Sequence, residues 1–119
     1  MALVVPNLGE LELLDKMLKD ALSSDENYIL KLYMNDYTPD QASAPGSFSQ
    51  ATFTNYVAKT LTRAGWNAAV VASNKAESSY GSTPQTWTCG ATGNTIYGYW
   101  VEGATSSICL WAERFAVSR

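Results

Sequence analysis

At 119 residues, with 46% apolar and 16% charged side chains, the chain has the size and composition of one globular domain around a single modest core. A net charge of -3, with eight scattered Lys and Arg, argues against nucleic acid as a partner, because neutralising a phosphate backbone takes clustered cations. No apolar run approaches the roughly 20 residues that span a bilayer. The opening MALVVPNLGELELL also lacks the positive start of a secretory signal, so the expectation is no membrane contact and a protein made and kept in a cytosol.

The first predicted element is a helix over about 8–23. Leu11, Leu14, Leu18 and Leu22 recur at spacings of three and four, Met17 and Ala21 widen the stripe, and Asn7 is placed to cap with Glu10 three residues on. Glu12/Lys16 and Asp15/Lys19 stand at i,i+4 in the favourable order. Two destinations fit the stripe: the sheet of its own chain, or a groove on a partner, the latter kept open by the apolar lead Leu3-Val4-Val5-Pro6.

From Asn27 the period becomes two, with Tyr28, Leu30, Leu32 and Met34 on one face of a strand and Ile29, Lys31 and Tyr33 on the other. Residues 37–54 begin with a stretch rich in Pro, Gly, Ser and Thr, a long loop and a candidate contact surface. Asn55 to Arg63 and the region around Trp66 and Val70-Val71 predict two further strands, and a second polar loop covers 73–86. An aromatic meander follows. Its runs are Thr86 to Cys89, Thr95 to Val101 and Ser106 to Phe115, the last two closed into a hairpin by Glu102-Gly103-Ala104-Thr105. In it Tyr97, Tyr99 and Val101 share one face and Ile96, Gly98 and Trp100 the other, where Gly98 leaves room for a ring or backbone. The last strand alternates Ile108, Leu110 and Ala112 against Cys109, Trp111 and Phe115, so neither of its faces is made for water.

The expected fold class is mainly β: an antiparallel β-sandwich or jelly-roll-like barrel of five to seven strands with one N-terminal α-helix. The whole chain, 1–119, forms one domain, its β-rich body running over 27–116. In the predicted meander Cys89 lies opposite about Ile96 and Cys109 opposite about Trp100, roughly 13 Å apart along the middle strand. Bridged cysteines need Cα atoms within about 7 Å, so two free core thiols are expected.

The chain contains no histidine, which removes the usual general base, the imidazole-dependent triads and most zinc sites. Neither the cysteines nor the acids have metal-ligand spacing, so no metal, cofactor or catalytic residue is assigned. Asp36, Asp40, Glu102 and Glu113 are the carboxylates that glycoside chemistry would draw on, but Asp36 and Asp40 bracket a turn and Glu113 adjoins Arg114, so local and surface roles are preferred. Gly90-Ala91-Thr92-Gly93 lacks the Lys-Ser/Thr of a phosphate loop. Rows of Trp and Tyr either fill a core or subunit interface or stack on sugar rings.

Four segments, LYMNDYTPD (Leu32 to Asp40), FTNYVAKTLTRAGW (Phe53 to Trp66), WTCGATGNTIYGYWV (Trp87 to Val101) and LWAERF (Leu110 to Phe115), together with the opening helix, carry a resemblance that spans nearly the whole chain. They resemble a family of small structural proteins of tailed bacteriophages, including phages of aquatic bacteria. The resemblance supplies no catalytic residue. It implies a non-enzymatic virion protein assembled in the host cytoplasm, a capsid decoration or cement protein that stabilises the shell through subunit contacts. The alternative is a tail component or a carbohydrate- or receptor-binding module of the tail. Implied partners are the major capsid protein or other virion proteins, and further copies of the chain in a trimer or dimer. Candidate interface residues on this implication are Leu3, Val4 and Val5 of the N-terminal segment, Tyr37, Pro39, Phe48 and Phe53 of the first loop, Tyr80 of the second, and Trp100 and Trp111 of the aromatic hairpins. Members of that family usually continue beyond the LWAERF strand with another strand-like stretch, so with this chain ending at Arg119 either that strand is absent or a neighbouring subunit supplies the pairing edge.

Overall fold

A computed structural model describes residues 3–18 and 26–119, and over them the chain is mainly antiparallel β with one N-terminal helix, which meets the coarse expectation. Helix α1 (Asn7–Leu18) precedes β1 (Tyr28–Tyr33), β2 (Lys59–Leu61), β3 (Val70–Ala72), β4 (Lys75–Glu77), β5 (Gly98–Gly103) and β6 (Cys109–Arg114). Four strands form one sheet in the order β2-β1-β5-β6, and β3 with β4 forms a separate two-stranded ribbon. The four-stranded sheet is open, with β2 and β6 at its edges, and no closed barrel forms among the described residues.

Period-two alternation decides what each face of the sheet carries. Register from Tyr28↔Gly103 to Tyr33↔Gly98 puts Ile29, Lys31, Tyr33, Trp100 and Glu102 on a first face, and Tyr28, Leu30, Leu32, Tyr99 and Val101 on a second. On the first, Phe48 joins Tyr33, Trp100, Cys109 and Ala112 in a buried cluster and stacks on Trp100 with centroids 5.0 Å apart and planes at 15°. On the second, Leu32 packs with Ala51, Phe53 and Ile96. The first long loop therefore turns its apolar side chains inward and covers the sheet. Backbone bonds from Met34 N–H to the Ser49 carbonyl (2.9 Å) and from Ala51 N–H to the Leu32 carbonyl (2.9 Å) tie it to the end of β1. Gly98 meets its expectation, since a Cβ there would come within 2.5 Å of the Tyr33 hydroxyl.

Several sequence readings are corrected. Strand β5 starts at Gly98, not Thr95, and runs on through Glu102 and Gly103, the expected turn residues; ahead of it Ile96 packs with Leu32 and Tyr97 against the Trp100 cluster, the reverse of the expected faces. A register shift between Val101 and Glu102 sets Trp111 opposite Val101 and Cys109 opposite Glu102. This irregularity breaks the parity expected of the last strand: Cys109 joins Ala112 in the first-face cluster, whereas Trp111 lies on the second face. Thr86 to Cys89 forms no strand, and Cys89 is exposed instead of being a core thiol; both cysteines are free. The strand expected over 55–63 shortens to β2, with Asn55 at a φ of 71° and a 3-10 turn at Arg63–Gly65 on either side. The second polar loop contains β4, joined to β3 by Ser73 and Asn74, both with positive φ (50° and 63°), the combination a two-residue hairpin turn requires.

The N-terminal segment closes against β6. Val4 pairs antiparallel with Ala112, its N–H and carbonyl each bonded at 2.8 Å, and Pro6 is fully buried. Asn7 is itself helical, and the expected Lys19, Ala21 and Leu22 lie outside the described residues. Helix α1 rests on β6 through Gly9, where a Cβ would stand 2.6 Å from the Leu110 carbonyl oxygen. Of the expected stripe, Leu11 and Leu14 point to solvent, 56% and 49% exposed.

Candidate functional site: an outward leucine face and an aromatic recess

The carboxylates do not converge. Glu102 and Glu113 occupy opposite faces of the sheet, because Glu102 shares a face with Trp100 and Glu113 stands opposite Tyr99. Glu102 is buried and accepts from Trp100 Nε1 at 2.7 Å and from Lys31 Nζ at 2.5 Å, while the Lys31 ammonium also lies 5.6 Å from the Trp100 ring centroid. Glu113 accepts from the Tyr99 hydroxyl at 2.9 Å. Burial first, and this carboxylate second, push the Tyr99 phenol well above its ordinary range. Asp36 pairs with Arg114 at 2.5 Å. Asp40 accepts from the Ala42 N–H at 2.9 Å and the Ser43 hydroxyl at 3.1 Å, the local turn role its position predicts.

Cys109 is 2% exposed, and burial, followed by the negative charge of Glu102, pushes its thiol up to about 12. That holds sulfur in the protonated form, the opposite of the lowered pKa that makes a cysteine nucleophilic. Among the described residues no group of three or more His, Cys, Asp or Glu is placed to hold a metal, and no helix is long and apolar enough to cross a membrane.

Two apolar surfaces stand out. The first is the outer side of α1, where Leu8, Leu11 and Leu14 follow one another at three-residue spacing with exposures of 58%, 56% and 49%. Leu3, also exposed, precedes them. The helix thus turns its smallest residue, Gly9, toward the body and these leucines away from it, the reverse of the usual arrangement.

The second is a recess of about 380 Å³ over the second face of the sheet. Leu30, Val101 and Trp111 form its floor, and Trp66, Tyr80 and Trp87, from the connections that flank β3 and β4, form its walls. Rings meeting edge to face hold the walls: Trp66 with Tyr80 at 5.4 Å and 74°, and Trp66 with Trp111 at 6.3 Å and 76°. The Trp66 N–H is buried without an oxygen or nitrogen partner among the described residues.

The candidate interface residues divide between surface and core. Leu3 is exposed; Val4 and Val5 are half-buried along β6, with Val4 paired to Ala112. Tyr37 is half-buried, its hydroxyl 2.9 Å from Ser43 Oγ and its ring edge-on to Phe48. Pro39, Phe48, Phe53 and Trp100 are buried within the fold. Tyr80 and Trp111 come together, both lining the recess. Leu8 and Leu13, outside the predicted stripe, are exposed as well, and Trp66 and Trp87 complete the recess; clustering in space, absent from their spacing in sequence, makes them a site.

No family model, curated protein or solved structure matches the chain.

Proposed function

We propose that this protein is a non-catalytic structural component of a tailed-phage virion, a capsid decoration or cement protein that holds shell subunits through buried apolar contacts. The observation that supports this reading best is the outward leucine face of α1, since a helix with Leu8, Leu11 and Leu14 in water gains stability only when a partner covers them. The partner on this reading is the major capsid protein or another virion protein, with copies of the chain grouped as a trimer or dimer around a shell symmetry axis. Repetition over many symmetric positions turns modest contacts into strong retention. The sandwich expected from the strand count would then be completed in the assembly, where a neighbour adds its layer or pairs with an edge strand of the open sheet.

The tail carbohydrate-binding reading draws on the aromatic recess. It has less support, because the N–H of Trp87 and the hydroxyls of Tyr80 and Tyr99 are already bonded within the chain, whereas sugar hydroxyls need free partners.

Capsids stripped of the protein provide the test. Re-added wild type is expected to bind at a fixed copy number and restore resistance to heat and osmotic shock. The double substitution Leu11→Glu with Leu14→Glu, at exposed positions, is expected to abolish both while the variant remains folded. A wild-type protein that leaves resistance unchanged, or a double variant that restores it fully, sinks the cement role.

A further inference from the structure

We propose that the recess over the second face of the sheet is a binding site for a small uncharged molecule with a ring or branched hydrocarbon body and at most one hydrogen-bonding group. This site is independent of the assembly reading, and none of the exposed leucines of α1 lines it.

Size and chemistry select the ligand class. A volume of about 380 Å³ lies at the lower end of the roughly 300–1,000 Å³ found for ligand pockets. At about 30 Å³ per molecule it would hold about a dozen waters. Those waters would face Leu, Val and ring carbons, and a water needs two to four polar partners to be well held. Displacing such poorly bonded water by apolar atoms is favourable.

The polar ends of three lining residues are bonded within the chain, and the Trp66 N–H is buried. Trp87 Nε1 donates to the Val57 carbonyl at 2.7 Å, and the Tyr80 hydroxyl accepts from the Thr62 N–H at 3.2 Å. The Tyr99 hydroxyl, also on the wall, donates to Glu113. What these residues offer a ligand is ring surface. Among the described residues no Lys, Arg, Asp or Glu lines the recess, so none of them would stabilise an ionised guest there. Gln85 supplies a side-chain amide on the wall, matching the single polar group allowed to the ligand. Sugars, with a hydroxyl on nearly every carbon, and charged metabolites are both selected against.

The chain carries its own reporters. Of its four tryptophans, Trp66, Trp87 and Trp111 line the recess, and Trp100 lies on the other face of the sheet. The probe is 1-aminoanthracene, an uncharged ring molecule that accepts energy from excited tryptophan, titrated alongside anthracene-9-carboxylate and an N-acetylglucosamine trimer. Saturable binding of one probe per chain is expected, with the indole N–H resonances of the three recess tryptophans shifting and that of Trp100 unmoved. The carboxylate is expected to bind at least tenfold more weakly, and the sugar not at all. Leu30→Trp, which fills the floor, is expected to weaken the probe at least tenfold while the thermal midpoint stays at or above wild type. Should that variant melt early, the resonance shifts in the wild type decide the matter without it. Non-saturating uptake, an equal shift at Trp100, or equal affinity for the sugar overturns the proposal. So does self-association that competes with the probe, which would make a second copy of the chain the occupant.

Discussion

Glu26 ties the turn of the β5–β6 hairpin to the start of β1 across 80 positions of sequence. It is 5% exposed, and its carboxylate accepts from the Thr105 N–H at 2.7 Å, the Ser106 N–H at 2.9 Å and the Ser106 hydroxyl at 2.7 Å. Glu26→Ala leaves two backbone donors and a hydroxyl without their acceptor, and an orphaned group costs about 1–3 kcal/mol when buried. Thr105 is exposed and Ser106 half-buried, so water recovers part of that. The lower end applies to each group, giving a loss of about 3 kcal/mol. Glu26→Gln behaves differently. Its amide oxygen takes the place of the oxygen that receives both backbone N–H groups, and its NH2 faces the Ser106 oxygen, which accepts as readily as it donates. These contacts lose their charge assistance, worth about 1 kcal/mol in all at this partly solvated turn. Urea unfolding at neutral pH, with the slope checked for constancy, measures both differences. The expected order is wild type above Glu26→Gln above Glu26→Ala, with about 2 kcal/mol separating the two variants. An alanine variant within 1 kcal/mol of wild type, or a glutamine variant as damaging as alanine, would show that this carboxylate does not hold the turn.

Phe48→Ala is expected to cost about 3–5 kcal/mol in the same urea assay, because it empties the centre of the first-face cluster; a loss below 1 kcal/mol would place that loop outside the core. Burial raises the Cys109 thiol from its ordinary 9.0 to about 12, so its contribution is fully present below about pH 9 and is lost as pH rises toward 12. Over that window the folded state keeps a proton that the unfolded state releases, and stability falls by up to about 1.4 kcal/mol per pH unit. Tyr33, raised from 10.0 to about 12 mainly by burial, adds to the decline above pH 10. Cys109→Ser removes the thiol's share; identical slopes for the variant and wild type between pH 9 and 10 would refute the assignment.

The legible parts of this fold are those where one local pattern has one structural meaning. Alternation over Tyr28–Tyr33 and over Tyr99–Val101 gives the faces of both strands, since a half-buried strand has a single solution, but it misplaces Ile96 and Tyr97, which precede the strand and pack on the opposite faces from those the alternation assigns. The stripe of α1 did not, because a 3.6-residue period reads the same whether leucines meet their own sheet or a partner; Gly9 against the β6 backbone decided the orientation. Phe48 and Phe53 sit in a stretch whose Pro, Gly and Ser content announces a loop but not which way its aromatic residues turn. Ser73-Asn74 forms its hairpin turn without the Asn-Gly or Asp-Gly pair that usually signals one. The recess depends on bringing Trp66, Trp87 and Trp111 together, a long-range event that spacing does not encode.

The two apolar surfaces are structurally separate, and that separation makes the two functional readings independently testable. The leucine face belongs to a helix whose body contact is β6, whereas the recess is built on the second face of the sheet with walls from the connections around β3 and β4. Mutations that place charge at Leu11 and Leu14 remove an outer contact without touching a recess residue, and Leu30→Trp fills the recess without touching α1. If each variant loses only its own activity, the chain carries a docking face and a ligand site side by side, and the additivity expected of distant positions holds. If Leu30→Trp also prevents capsid binding, then the recess accepts a side chain of the partner in the assembly, and the two surfaces are halves of one interface.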